Sequence, residues 1–189
     1  MLRDGQRKLE REVVDRHWDG RWTLLTFSVP EARRADRHAL RTRLGWVGFG
    51  PLRSGLWIST SPTDVSHVLS ELDLLGHAEV FRAETFMWTD LARIVSEAWD
   101  LPELAAGYSA FLDRWTEGAS DDLDELSRRT RLDAEWLLLI RQNPRLPVAL
   151  LPEDWPGVGA QALFRTLRRR LSRPAGKLAA EVLESIVDD

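Results

Sequence analysis

The protein has 189 residues, 43% of them hydrophobic, which is enough to bury the core of one medium domain or two small ones. Its formal charge of −4 at pH 7 argues against a surface that binds nucleic acid over its whole extent. Cysteine is absent, which excludes disulfides, thiolate metal sites and cysteine nucleophiles.

A highly charged segment, residues 2–17, opens the chain, and its sparse apolar residues predict a solvent-exposed connector helix. After it, apolar residues alternate with period two, which predicts a strand with two apolar faces. One face holds Leu25, Phe27 and Val29, and the other holds Trp22 and Leu24. Pro30 ends this strand.

The following 30 or so residues predict a helix and then a hairpin. The helix covers residues 31–44, with Gly45 as its stop signal. Two short strands, residues 47–52 and 56–60, are joined by a tight turn at residues 53–55.

A second helix is predicted from the pattern Ser61-Pro62-Thr63-Asp64, which has a serine cap, a proline at the first helical position and an acid at the third. Its apolar side consists of Val65, Val68, Leu69, Leu72 and Leu75. A strand over residues 77–86 completes the order β-α-β-β-α-β. This order is typical of a ferredoxin-like fold, with two helices on one face of a four-stranded sheet.

Helical periodicity dominates the sequence after Trp88. One apolar stripe is Leu91, Ile94, Val95 and Ala98, and a second is Leu104, Tyr108, Phe111, Leu112 and Trp115. Further helices are predicted at residues 123–130, 133–142, 160–171 and 176–187, with a proline-rich loop before the last two. The fold class is therefore α+β: residues 1–20 form a connector, 21–88 a ferredoxin-like dimerisation domain, and 89–189 an all-helical domain.

Two segments resemble a known family. WDGRWTLLTFSVPE (residues 18–31), continuing through RTRLGWVGFG (41–50) and GLWIS (55–59), is similar to the opening of the central domain of PaaX-family repressors of phenylacetic acid degradation. PRLPVALLPEDWPG (residues 144–157) resembles that family's C-terminal signature, a proline-rich loop ending in a Trp-Pro-Gly turn. The resemblance covers residues 2–183.

The resemblance implies a Cas2-like ferredoxin domain and a helical C-terminal domain in a homodimeric transcriptional repressor of aromatic-acid catabolism. It also implies an aryl-CoA effector, typically phenylacetyl-CoA, that relieves repression. Family members begin with a winged-helix domain, which we expect to be missing here, so operator DNA would be bound only through such a domain.

Two alternatives to this interpretation remain. The first is a protein-interaction module that has no DNA-binding domain and pairs with a full-length regulator. The second is a Cas2-like metal nuclease, which is disfavoured because the first strand ends Phe27-Ser28-Val29-Pro30, with no carboxylate to hold a metal before Glu31. The preferred interpretation is a binding protein and not an enzyme.

Nine tryptophans are present, and most are expected to be structural because large aromatic side chains dominate protein cores. Trp46, Trp57 and Trp88 lie at or near predicted strand ends, where a pocket between the two predicted domains could receive an aryl group. We therefore select these three as candidate ligand-binding residues.

Arg165, Arg168 and Arg169 fall on one side of a predicted helix, opposite its apolar residues. A solvated helix face is the plain interpretation. The functional one is a clamp for the phosphates of coenzyme A or DNA, since the arginine fork suits such oxygens.

No cofactor or metal site is expected. The four histidines are dispersed and lack a pair at helical metal-ligand spacing. Because the sequence contains no apolar run near the roughly 18 residues of a membrane helix, and no apolar signal region, we expect a cytoplasmic protein with no membrane partner.

Overall fold

The computed structural model describes residue 9, residues 12–116 and residues 124–187. The chain divides into two compact units. The sheet unit comprises Val14–Pro102 and Gln142–Glu153. The helical unit comprises the described residues of Met1–Val13, Glu103–Arg141 and Asp154–Asp189.

The sheet unit contains a four-stranded antiparallel sheet. Its strands are β1 (Arg21–Phe27), β2 (Gly50–Arg53), β3 (Leu56–Ser59) and β4 (Ala78–Glu84), in the spatial order β2-β3-β1-β4. Helix α1 (Arg34–Trp46) connects β1 to β2, and helix α2 (Ser66–Glu71) lies between β3 and β4. The β-α-β-β-α-β order predicted for this region is therefore confirmed.

The predicted alternation along β1 is also confirmed, because its two apolar faces enter two different clusters. Leu25 and Phe27, with Val29 just after the strand, belong to the core beneath α1 and α2. The other members of this core are Leu40, Leu44, Phe49, Trp57, Val65, Leu69 and Leu74. Leu74 is fully buried, whereas Leu75, predicted to face the core, is 56% exposed.

The opposite face of the sheet is covered by helix α3 (Leu91–Ala98) and by the loop at residues 146–151. Trp22 and Ile58 from the sheet, Val95 and Ala98 from α3 and Leu146 from the loop form this second core. The loop is held to the N-terminal segment by two backbone bonds. Asp15 donates to the carbonyl of Leu146 at 3.0 Å and accepts from the N–H of Val148 at 2.9 Å.

The helical unit is built from α4 (Leu101–Thr116), α5 (Glu125–Gln142) and α6 (Pro156–Val187) around a cluster of aromatic rings. Trp136 is fully buried and stacks on Phe164, with 4.5 Å between ring centroids and 9° between planes. Phe111 and Tyr108 pack against Trp136 at 5.3 and 6.2 Å. Asp124 caps the start of α5, because its carboxylate accepts the Ser127 N–H at 2.9 Å.

Two predicted helix boundaries were wrong. Helix α1 continues through Gly45 to Trp46, because Gly48 adopts the left-handed conformation (φ +92°) that closes the helix. The N–H of Phe49 then bonds the carbonyl of Leu44 at 2.9 Å, and both side chains are buried together. Helix α2 begins at Ser66 and not after Ser61, because the Asp64 carboxylate accepts the Ser66 N–H at 2.8 Å.

Three other helix predictions also differ from the structure. The predicted break at residues 131–132 is absent, since α5 is continuous and buries Leu132 at that point. The last two predicted helices form the single helix α6, whose first residue is Pro156. The connector helix predicted for residues 2–17 falls largely outside the described residues, and residues 12–17 are not helical.

Candidate functional site

Strand β4 forms one end of the sheet. It pairs with β1 over all seven of its residues, from Arg21↔Glu84 to Phe27↔Ala78. Within the described part of the chain, no strand pairs with its outer side. A regular strand with an open edge is a template for another strand.

Large apolar side chains are exposed along β4 and at both of its ends. We call this set the edge surface, and its members are Leu75 (56% exposed), Val80 (44%), Phe81 (52%), Phe86 (68%), Met87 (98%) and Trp88 (76%). The rings of Phe86 and Trp88 are stacked, with centroids 4.5 Å apart and planes 8° apart. The Thr89 N–H closes this turn by donating to the Phe86 carbonyl at 2.9 Å. Exposed large apolar side chains concentrated along one outer strand and its ends favour an interaction site at this edge of the sheet.

The charged residues of β4 are engaged by the chain's own side chains. Arg82 donates to both carboxylate oxygens of Asp19, at 2.8 and 3.1 Å, and Glu84 accepts from Arg21 at 2.9 Å. The backbone N–H of Arg21 and the Arg82 guanidinium lower the pKa of Asp19. Glu79 accepts from the hydroxyl of Thr26 at 3.0 Å. The charges of Arg82 and Glu84 are therefore compensated within the sheet unit.

The opposite edge of the sheet is formed by β2, which differs from β4 in length, composition and regularity of pairing. It has four residues, contains Pro51, and its pairing with β3 shifts register between Pro51 and Arg53. Gly50 lies directly beneath α3, where an added Cβ would come within 2.5 Å of the Ala98 carbonyl oxygen. Short length, proline and irregular register all discourage strand addition.

The three tryptophans selected from the sequence occupy different environments. Trp57, on β3, is buried in the core beneath α1 and α2. Trp46, the last residue of α1, is 62% exposed, and Trp88 lies in the turn after β4, stacked on Phe86. Exposure leaves the rings of Trp46 and Trp88 accessible to a ligand.

The three arginines selected on α6 also differ from one another. Arg168 is only 15% exposed and contacts Asp133 of α5 at 3.3 Å, with its guanidinium 6.0 Å from the centre of the Phe164 ring. Arg165 is exposed and lies 3.4 Å from Glu12, and Arg169 is exposed and donates to the Arg165 carbonyl at 3.3 Å. Arg168 is thus part of the packing of the helical unit, whereas Arg165 and Arg169 face solvent.

Sequence reasoning missed Phe81, Phe86 and Met87 as surface residues. A signal was present, because Phe86-Met87-Trp88 is a run of three large apolar residues between a strand and the Asp90 cap of α3. Such a run is unusual in a connecting turn unless it serves a function.

Family comparison assigns most of the chain. Residues 15–95 match the model of the PaaX protein central Cas2-like domain, and residues 99–181 match that of the PaaX-like protein C-terminal domain. The chain belongs to the PaaX family. Both matched domains are domains of PaaX-like regulators, so the protein is a PaaX-like regulator in general terms.

A solved structure shares the fold of this PaaX-family chain. It is the uncharacterised protein Rv0674 from Mycobacterium tuberculosis, which is similar with a TM-score of 0.68 and 21% sequence identity over 93% of this chain and 70% of that one. A comparison with curated proteins gave no match.

Among the residues that the structure describes, no group of three or more His, Asp or Glu side chains could hold a metal ion. In the same residues, no helix has both the length and the apolar character required to cross a bilayer.

Proposed function

We propose that this PaaX-family protein is the effector-sensing and dimerising part of a repressor of phenylacetate catabolism, and that its effector is an aryl-CoA thioester such as phenylacetyl-CoA. The observation that carries the proposal is the match of residues 15–95 and 99–181 to the two PaaX domains. The edge surface of the Cas2-like domain adds stacked aromatic rings exposed beside an outer strand. Such a surface suits binding and association. The protein acts in the cytoplasm, and operator DNA is bound through a winged-helix domain like that of other family members.

The aryl group of the effector would bind to an exposed tryptophan ring. Trp46 and Trp88 are both accessible, and stacking on a tryptophan face gives a phenyl group area and geometry that an aliphatic side chain cannot match. Trp57 contributes to the fold beneath this surface, since its ring is buried in the core.

The phosphates of coenzyme A would bind to arginine. Arg165 and Arg169 are exposed, whereas Arg168 is largely buried and held against Asp133. The clamp proposed from the sequence therefore rests mainly on Arg165 and Arg169, with Arg168 fixing the helix that carries them.

Isothermal titration calorimetry tests the effector. The protein is titrated separately with phenylacetyl-CoA, acetyl-CoA, coenzyme A and free phenylacetate. We expect saturable heat from phenylacetyl-CoA, weaker binding of acetyl-CoA and coenzyme A, and none of phenylacetate, because the aryl group and the phosphates would each contribute to the affinity. Equal affinity for all three coenzyme A compounds would show that the protein does not recognise the aryl group. No heat from any of them would overturn the proposal.

Single tryptophan variants locate the aryl group. Trp88→Leu and Trp46→Leu are compared with the unchanged protein for phenylacetyl-CoA affinity and for fluorescence change on saturation. Loss of affinity in one variant identifies the ring involved. If both variants bind as tightly as the unchanged protein, the aryl group does not bind at either ring.

A further inference from the structure

We propose that two copies of this chain join through β4, antiparallel to each other, with Phe81 of both copies at the two-fold axis. The two sheets then form one continuous eight-stranded sheet. This inference rests on the dimer in the proposed function, and it specifies the surface and the register that form it.

The hydrogen bonds of β4 define which of its backbone groups point outward. Ser28 follows β1, and its N–H donates to the carbonyl of His77 at 2.9 Å, so this pair belongs to the hydrogen-bonded class of the β1–β4 ladder. Because the two classes alternate in antiparallel pairs, Glu79, Phe81 and Ala83 direct their backbone groups towards β1. The residues that direct theirs to the open edge are Ala78, Val80, Arg82 and Glu84.

This alternation restricts how β4 can pair with its own copy. In a new ladder, residues that point outward must hydrogen-bond to residues that point outward. The two-fold axis must therefore place one residue directly opposite its own copy, and it cannot lie between two successive residue pairs. Phe81 is the midpoint of Ala78–Glu84, so an axis there pairs all seven residues: Ala78 with Glu84, Glu79 with Ala83 and Val80 with Arg82 of the other copy. Axes through Val80 or Arg82 shorten the ladder, and the latter would oppose two arginines.

The same register brings the apolar ends of the edge surface together. Leu75 precedes β4, and the exposed turn of Phe86, Met87 and Trp88 follows it. An antiparallel two-fold arrangement places the start of one strand beside the end of the other. The aromatic turn of each copy therefore lies next to Leu75 of the other.

The size of the edge surface suits a dimer. The exposed parts of Phe81, Phe86, Met87 and Trp88 amount to roughly 600 Å² if a large apolar side chain offers about 150–250 Å². A standard interface buries about 800 Å² on each partner. The outer backbone of β4, Val80 and Leu75 supply the remaining area.

Charge does not oppose this pairing. Charged side chains on an edge strand normally repel a second strand, but Arg82 and Glu84 are each paired with a residue of their own chain. The pairing also leaves these ion pairs in place, because they lie between β4 and its own sheet unit.

Single-cysteine cross-linking tests the register, and the natural chain provides a background without cysteine. Phe81 of the two copies would form a non-hydrogen-bonded pair with Cα atoms about 4.5 Å apart, within the range of a disulfide. We expect Phe81→Cys to form a covalent dimer on mild oxidation. Val80→Cys should not, because its copy lies diagonally at about 7–8 Å, and Ser54→Cys in the β2–β3 turn controls for random collision.

Efficient cross-linking of Val80→Cys instead of Phe81→Cys would overturn the proposed register. Cross-linking of neither above the Ser54→Cys level would overturn β4 as the interface. Calorimetry of the unchanged protein measures effector binding separately, so neither cross-linking result decides it, and a cross-linked dimer that binds no thioester would overturn the effector role while leaving the interface in place.

A proline pair tests the interface without oxidation. Val80→Pro removes an N–H that points to the open edge, whereas Phe81→Pro removes one that bonds to β1. We expect Val80→Pro to be a folded monomer by circular dichroism and analytical ultracentrifugation, and Phe81→Pro to be the less stable variant. A Val80→Pro protein that is folded and still dimeric at the concentration of the unchanged protein would refute pairing through β4.

Discussion

The indole Nε1 of Trp115 donates a hydrogen bond of 2.9 Å to Oε2 of Glu135, joining α4 to α5. The other carboxylate oxygen of Glu135 accepts from Arg114 and from Arg131, each at 3.0 Å. Burial raises the pKa of Glu135, but the hydrogen bonds from Trp115, Arg131 and Arg114 outweigh this effect and the pKa is lowered. Three donors from two helices thus depend on one carboxylate charge.

This arrangement predicts acid sensitivity of the helical unit. A lowered folded-state pKa contributes stability above the unfolded pKa of about 4.3, and that contribution is lost as the pH falls through the folded value. We expect Glu135→Gln to melt below the unchanged protein at pH 7, and the gap to narrow as the pH falls below about 4.3. Melting curves of both proteins from pH 7 to pH 3 measure this. A gap that stays constant would show that the charge is unimportant.

Two glycine substitutions should have opposite effects on stability. An alanine at Gly50 would place its Cβ 2.5 Å from the backbone oxygen of Ala98 and 2.8 Å from Trp99, and the backbone cannot give way cheaply. We expect Gly50→Ala to cost about 1–3 kcal/mol in urea unfolding. Gly45→Ala lies in helix α1 with nothing within 4 Å, and it should gain about 0.5–1 kcal/mol. Destabilisation of equal size at both positions would contradict this explanation.

The candidate tryptophans should differ in how much each contributes to the free energy of unfolding. Trp57→Ala empties part of the core beneath α1 and α2 and is expected to cost about 3–5 kcal/mol. Trp88→Ala removes a ring that is exposed in the single chain, and at a protein concentration too low for dimers it should change the free energy of unfolding by no more than about 0.5 kcal/mol. Urea denaturation of both variants gives the comparison, and a large loss from Trp88→Ala would mean that its stack on Phe86 supports the fold.

The arginines of α6 should also differ in how much each contributes to stability. Arg168→Ala leaves Asp133 without one of its two arginine contacts and is expected to cost about 1–3 kcal/mol, since both side chains are largely buried. The double variant Arg165→Glu and Arg169→Glu should keep the melting temperature within a few degrees. If these two arginines bind coenzyme A phosphates, the double variant should also weaken phenylacetyl-CoA binding by about tenfold or more. Unchanged affinity would leave them as a solvated face.

The sequence predicted the parts of the fold that depend on local pattern. Alternation along β1 identified both faces of the strand, and the turn at Gly55, whose φ is +75°, was evident from composition. The pattern could not decide between Gly45 and Gly48 as the end of α1. That choice depends on burying Phe49 against Leu44, which is a tertiary contact.

The candidate site was less predictable than the fold, because exposure is a property of packing. Trp57 and Trp88 are both tryptophans near strand ends, yet one lies in the core and the other in solvent. Phe81 continues the strand pattern of its neighbours, and only the position of β4 at the end of the sheet leaves it half exposed. The loop at residues 146–151 was predicted as a loop, but its role in covering the sheet was not.

Pro51 and the irregular register of β2 limit how far self-association can proceed. A sheet with two open edges can add copies indefinitely and polymerise into filaments. In the dimer proposed above, β2 remains a blunted edge and β4 is covered by the second copy, so we expect assembly to stop at two subunits. A sheet protein that carries so much exposed apolar surface can in this way remain a discrete particle.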